Sequence, residues 1–307
     1  MDEHQSQAIN TITIQARKIM EGSYNDVDQI FRLTDPATHS AGIADLAEAF
    51  GMMSVKVEAR EFALQQTIGQ LKQKSDALRE SMKLRQVASS LLLWFAISMS
   101  FFIFILGVIH EPKLSGSIRI NIVPWFSNLF IISQVLIMTI LIHKNGYKLS
   151  DYGVNIVNAR KSASDALIAT CIIVVFMVGL KVLLIQQGIE FPGRSFIKVA
   201  EFKNTFFWVY FVSAPVQEFI LRGVLQSSAE RIILVRHRKF WAIVSISLVF
   251  GALHTFYSIF FAMVAFGGGL LWGWLFSRHM TLIGPSLSHL LLGIALFLLG
   301  FSDIMGL

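Results

Sequence analysis

Apolar residues follow two regimes along the chain. Up to about residue 86 they are spaced: Ile43, Phe50, Val57, Leu64, Leu71 and Leu78 recur at a seven-residue step, which keeps one helix face apolar turn after turn and suits it to pack against another helix. From Val87 onward they run in near-continuous stretches, and a helix needs ~20 apolar residues to cross a bilayer. The change of regime predicts a helical arm followed by a membrane body.

Within the arm, Ile9, Ile12, Ala16 and Ile19 mark a first helix ending near Gly22, and Ser23 to Ser40, with Asn25 and Pro36, reads as a connector. A second helix, opening at Gly42, runs on into a coiled coil. Its companion row starts with Leu46 and Met53 and decays into Arg60, Thr67, Lys74 and Ser81, so the second half of the coil has the thinner seam. Helix, connector, helix and coil resemble the HAMP signalling module. IADLAEAFGMM (Ile43 to Met53) is similar to that family's second helix, and ARKIMEGSYN (Ala16 to Asn25) to the end of its first. A plain dimerising coil has the same heptads, and either reading implies a homodimer through the coil.

Seven apolar stretches predict seven membrane helices: Val87–Ile109, Ile120–Ile142, Ala166–Gln187, Asn204–Gln226, Phe240–Tyr257, Ile259–Ser277 and Leu282–Phe301. The fifth and sixth need a turn near Tyr257 and Ser258, because Phe240 to Ser277 contains no Lys, Arg, Asp or Glu and is too long for one span. Composition agrees, with 54% hydrophobic residues, 15% charged and a mean hydropathy of +0.60, outside the range of an ordinary soluble domain. The charges divide with the regimes: residues 1–86 hold 10 Lys/Arg and 12 Asp/Glu, residues 87–307 hold 16 and 8.

Lys and Arg in short loops favour the cytoplasm. With the arm inside, Lys144, Lys148, Arg160, Lys161, Arg231, Arg236, Arg238, Lys239 and Arg278 are cytoplasmic, against Lys113, Arg119, Arg194, Lys198 and Lys203 opposite, the latter among Glu111, Glu190, Glu201 and Asp303. That orientation, N-inside and C-outside, needs an odd number of spans. The basic excess thus belongs to loops, and no nucleic-acid partner is expected. A single cysteine, Cys171, excludes an intramolecular disulfide framework and a Cys-based zinc site. The opening MDEHQSQAIN lacks an apolar signal core, so the first span is expected to direct insertion. The fold expected is all-α: a polytopic transmembrane helix bundle carrying an N-terminal cytoplasmic helical arm, in a bacterial inner membrane or plasma membrane. The arm is 1–86, two leading spans 87–144, and the core 145–307.

Ionisable side chains at bilayer depth cost ~2.5–3.5 kcal/mol on insertion scales, which makes them functional candidates. Lys181, near the outer end of its stretch, reads as a snorkelling anchor. Glu218 and Arg222 in APVQEFILRG lie four apart on one helix face, either as an ion pair that makes the helix insertable or as a carboxylate held by a guanidinium. Pro215, just before them, removes a backbone hydrogen bond. His254 in FGALH and His289 in GPSLSHLLLG lie in later stretches. If a bundle brings Glu218, His254 and His289 together, they supply a general base, a second proton carrier and an oxyanion donor, enough to hydrolyse a peptide bond with water. Counted from the span ends, however, Glu218 and His289 sit ~10–12 Å deep and His254 ~21 Å. Gly267 to Gly269, then Trp272, Gly273 and Trp274, read as close helix packing and interfacial anchoring.

QEFILR (Gln217 to Arg222), FGALH (Phe250 to His254) and SHLLLG (Ser288 to Gly293) resemble the CPBP family of intramembrane endopeptidases, also called the Abi or CAAX-protease family, whose pattern is EExxxR, FxxxH and HxxxN. The resemblance spans roughly residues 145–302, including KLSDYGVN (Lys148 to Asn155). It implies that a glutamate and the FxxxH histidine activate water while the last histidine and its asparagine bind the scissile carbonyl. Residue by residue, that names Glu218, Arg222, Phe250, His254 and His289. Gln217 stands in place of the first glutamate and Gly293 in place of the asparagine, so Glu218 would have to serve as base, from a direction ~100° away around the helix.

The expectation is a glutamate-type intramembrane endopeptidase, acting on a peptide or membrane-protein substrate in contact with membrane lipid and regulated or dimerised through its arm. A catalytically degenerate scaffold, sensor or immunity protein is the alternative that Gln217 and Gly293 favour, and a transporter is the third. No cofactor is expected; zinc stays open, because two His and a Glu are an acceptable ligand set.

Overall fold

The computed structural model describes all residues except 1–2, 26, 111–118, 190, 192–195, 199–204 and 306–307. All its regular secondary structure among them is helical, and the chain divides into two compact units, Met1–Ser81 and Met82–Leu307.

In the first unit, α1 (Glu3–Met20) and the short α2 (Val27–Phe31), followed by a 3-10 turn at Arg32–Thr34, pack on the start of α3 (Ala41–His110). Gly22, at φ +79°, permits the left-handed turn that ends the first helix. Ile12, Ile30 and Ala47 form the core, with Leu33 and Phe50 against it. The companion row differs from the expected one. Leu46 and Met53 are about half exposed, whereas Ala47, Gly51 and Ser54 are buried beside Ile43. The reason is steric: a Cβ on Gly51 would lie 2.8 Å from the Phe31 ring, so the small-residue row admits α2. The connector thus contains a helix that its sequence did not announce.

The second unit starts with the rest of α3, whose Val87, Leu91, Phe95, Met99, Phe102 and Leu106 are buried at three- and four-residue spacing. They face α4 (Arg119–Lys144), where Phe102 stacks on Phe130 at 4.3 Å and Ser98 donates to Gln134 at 3.2 Å. Next come α5 (Ala159–Gln186) and α6 (Thr205–Glu218), which continues through a π-helical segment, Phe219–Gln226, into α7 (Ser227–Ile232). Then follow α8 (Arg238–Leu253), α9 (Ile259–His279), α10 (Ile283–Leu298) and the short α11 (Phe301–Met305). α9 lies along α8, and α10 packs against α5, α6 and α9. Large apolar side chains point outward, such as Ile172, Val175 and Phe176 on α5, each about two-thirds or more exposed. A soluble protein does not leave such a surface in water.

Over the described residues, each of the seven predicted stretches lies mainly on helix. Among the described residues, four helices are long and apolar enough to cross a membrane: Ala41–Ile109, Phe126–Lys144, Ala159–Gln186 and Ile259–His279. The others are shorter or broken: α8 and α10 have 16 residues each, about 24 Å at 1.5 Å per residue, and the fourth stretch passes through the π segment. The turn between the fifth and sixth stretches occupies 254–258, with the Ser258 hydroxyl capping α9 by accepting from Phe261 N–H at 3.1 Å. Glu111, Lys113, Glu190, Arg194, Glu201, Lys203 and Asn204 lie outside the described residues.

Lys181 does not snorkel. It is 1% exposed, and its Nζ donates to the carbonyls of Phe196 and Leu299, both at 2.7 Å, with the Phe191 and Phe196 rings 4.7 Å away. Backbone at the end of α10 and in the segment after α5 folds over it, so the ammonium satisfies carbonyls instead of seeking water.

Candidate active site

The polar centre of the second unit is built on the stretch after Pro215. Glu218 ends α6, and Arg222 and Gln226 follow at four-residue intervals within the π segment, all three fully buried. A π turn carries an extra residue per hydrogen-bonded ring, and proline has already removed one donor upstream. This local unwinding coincides with Glu218, and not Gln217, being directed inward: Gln217 is only half-buried.

Glu218 is held from two sides. His289 on α10 approaches with Nδ1 2.9 Å from Oε1, and Arg222 Nε lies 3.4 Å from Oε2. Arg222 Nη1 reaches Gln226 Oε1 at 3.4 Å, and Gln226 Nε2 donates to the Gly273 carbonyl at 3.0 Å and to Ser277 at 2.9 Å. Room for these groups comes from α9. A Cβ on Gly269 would stand 3.2 Å from Arg222 Nη2, and one on Gly273 would stand 2.9 Å from Gln226 Oε1. Two glycines one turn apart thus seat a guanidinium and an amide, which is the packing purpose of part of the glycine-rich run.

Trp272, expected at an interface, is buried and stacks on the His289 ring at 3.8 Å with 17° between planes. Its Nε1–H donates to Ser288 Oγ at 3.2 Å, and Ser288 also accepts from Thr170 at 2.9 Å. The His289 imidazole is therefore fixed by a stacked indole on its face and a carboxylate on its edge. Across the same histidine, the Tyr210 hydroxyl donates to the His289 carbonyl at 2.9 Å, its ring edge-on to the imidazole at 5.9 Å. The phenol sits against the bare face of Gly293, where a Cβ would collide with its oxygen.

His254 is not in direct contact with the carboxylate. It follows the last residue of α8, half-buried, with Nδ1 2.7 Å from the Phe250 carbonyl, and Phe250 stands between it and His289, at ring distances of 4.4 and 5.7 Å. The Phe250 ring also lies 6.0 Å from the Arg222 guanidinium. The structure thus brings Glu218, Arg222 and His289 together, places Phe250 against His289 and Arg222, and sets His254 against Phe250. No group of three or more His, Cys, Asp or Glu among the described residues is arranged to hold a metal ion.

Sequence reasoning missed Tyr210, Trp272, Ser288 and Gln226. Gln226 was legible, being the next step of the 218, 222 stripe; the others depend on helix pairing. Below this centre, the segment around the 3-10 turn Leu149–Tyr152 is lashed to the α9–α10 connection: Thr281 donates to the Asn155 carbonyl at 2.8 Å and Leu282 N–H to the Gly153 carbonyl at 3.0 Å. The Tyr152 carbonyl comes so close to Gly223 that a Cβ would be 2.6 Å away, so the π segment is buttressed where it bends.

No curated protein and no solved structure matches this chain. Its apolar helices mark an integral membrane protein. Residues 201–295, which include Glu218, His254 and His289, match a family model described as type II CAAX prenyl endopeptidase Rce1-like, and this similarity supports an intramembrane protease in general.

Proposed function

We propose that the chain is a glutamate-type intramembrane endopeptidase in which Glu218 activates water. The observation that carries this reading is the buried Glu218–His289 contact of 2.9 Å, within the region that matches the endopeptidase model. Arg222 orients the carboxylate through Oε2, so that it can accept a proton from water. That water adds to the scissile carbonyl carbon as its proton passes to Glu218. Glu218 then delivers the proton to the amide nitrogen as the C–N bond breaks, giving a carboxylic acid and an amine. His289, held by Trp272 and Glu218, supplies charge stabilisation for the developing oxyanion. His254, whose Nδ1–H donates to the Phe250 carbonyl, offers Nε2 as a second acceptor for the water. The arm acts as a HAMP-like regulatory element on the cytoplasmic side, in a chain of seven spans with the N-terminus inside.

The test is cleavage in proteoliposomes of a fluorogenic farnesylated Cys-aliphatic-aliphatic-X peptide and of its unprenylated counterpart. Glu218→Gln is expected to abolish turnover, with His289→Ala and His254→Ala lowering kcat by about 10²–10³. Full activity in Glu218→Gln would refute the mechanism. A second reading, a catalytically degenerate scaffold, is favoured by His254, whose Nδ1 bonds the Phe250 carbonyl while the carboxylate pairs with His289. It predicts no cleavage of either peptide and none gained with Gln217→Glu.

A further inference from the structure

α3 leaves its intramolecular partners partway along the first unit. Ile43, Ala47 and Ser54 are at most 7% exposed beneath α1 and α2. From Leu64 on, no described residue of the unit covers the helix: Leu64, Ile68, Leu71 and Leu78 are each between 56% and 61% exposed. With Leu64, Leu71 and Leu78 at heptad position d, Ile68 and Ser75 are a, so the uncovered residues form the narrow two-row seam that inserts knobs into a facing helix.

The flanks of that seam are one-signed. Lys72 and Arg79 are e and Lys74 is g, with neutral Gln65, Thr67 and Ser81 at the remaining flanks, while the acids Asp76 and Glu80 lie at b and f, away from a partner. In a parallel pair of identical chains Lys74 faces Arg79 of the other strand, twice by symmetry. An antiparallel pair sets e against e and g against g, again cation against cation. Self-pairing thus meets repulsion in both orientations, whereas a helix with Glu or Asp at e and g meets attraction. A lipid surface is a poorer match. Membrane-lying helices present a broad apolar face, and this seam is bordered by Gln65, Thr67, Lys72 and Lys74.

We propose that residues 64–81 of α3 form the docking strand for a different protein, an amphipathic helix with an apolar a/d seam and acidic flanks. Over this stretch the partner is thus a heterotypic coil and not a second copy of this chain, in place of the homodimer that its heptads alone suggest. The inference is independent of the chemistry at Glu218, and a proteolytically silent chain leaves it standing.

The experiment uses the full chain in detergent micelles, with Cys171→Ser and a reporter thiol at Leu71→Cys. Two labelled four-heptad peptides are added, each with Leu at a and d, one with Glu and one with Lys at e and g. The Glu peptide is expected to bind, to slow alkylation of the reporter, and to weaken as salt screens the flanks. The combined substitution Lys72→Glu, Lys74→Glu and Arg79→Glu is expected to weaken it by about tenfold and to admit the Lys peptide. These flanks are exposed, so folding is untouched, and the gained Lys-peptide affinity reads as rescue. Equal binding of both peptides, no binding of either, or spontaneous disulfide-linked homodimers through Leu71→Cys that the Glu peptide fails to suppress would each overturn the proposal. So would protection of the reporter by phosphatidylglycerol vesicles but not by the peptide.

Discussion

Replacing Arg222 by methionine tests whether the buried centre is an interdependent charge pair. Both side chains are fully buried, with Nε 3.4 Å from Oε2. Methionine has similar length and no charge, so Gly269 and Gly273 still face an aliphatic stem while Glu218 loses its cation. Removing one partner of a buried pair costs ~3–5 kcal/mol, since the remaining charge is uncompensated in a poorly solvating interior. For a unit the size of Met82–Leu307, ~2–4 °C per kcal/mol turns this into a fall of roughly 6–20 °C in Tm. The assay is thermal unfolding of the purified protein in micelles, followed by tryptophan fluorescence. A further result distinguishes lost charge compensation from lost packing: Glu218→Gln/Arg222→Met, which leaves no charge to compensate, should recover most of the loss. A loss below about 1 kcal/mol, or a double variant no more stable than the single, would show that the pair is not what holds this centre.

Two other outcomes probe its surroundings. Gly293→Ala places a methyl where the Tyr210 hydroxyl lies, so it should cost about 1–3 kcal/mol by overpacking, and clearly less in a Tyr210→Leu background; additive effects in thermal unfolding would separate the two residues. Burial raises the Tyr152 phenol above 10.0, with the Arg231 guanidinium partly offsetting it. The folded protein therefore binds this proton more tightly than the unfolded chain, a stabilisation present below about pH 10 and lost as pH climbs past the raised folded value. Tyr152→Phe should flatten that alkaline fall in stability, and superimposable alkaline limbs would contradict the assignment.

The helical regime changes were legible because they are one-dimensional. Heptad spacing and unbroken apolar stretches state where helices run, and Glu218 with Arg222 at four residues states a shared face. Tyr210, by contrast, is 79 residues from His289, and nothing near either announces their hydrogen bond. Trp272 carries the composition of an interfacial anchor, yet α9 turns it inward onto an imidazole. Lys181 has a snorkelling stem, but the backbone that folds over it supplies carbonyls. In the arm, Leu46 and Met53 look like the better seam, and only α2, seated on Gly51, shows that the small-residue row is used.

Periodicity and charge along the sequence determined the all-helical character, the arm and apolar body, and which carboxylate and imidazoles were candidates, because each follows from local spacing and from the cost of placing charge in lipid. The tertiary structure decided which of Gln217 and Glu218 turns inward, that His289 rather than His254 touches the acid, and which glycine faces admit Arg222 and Tyr210. Those outcomes depend on helix rotation and on clearances of a few tenths of an ångström between segments far apart in sequence, and no local pattern encodes them.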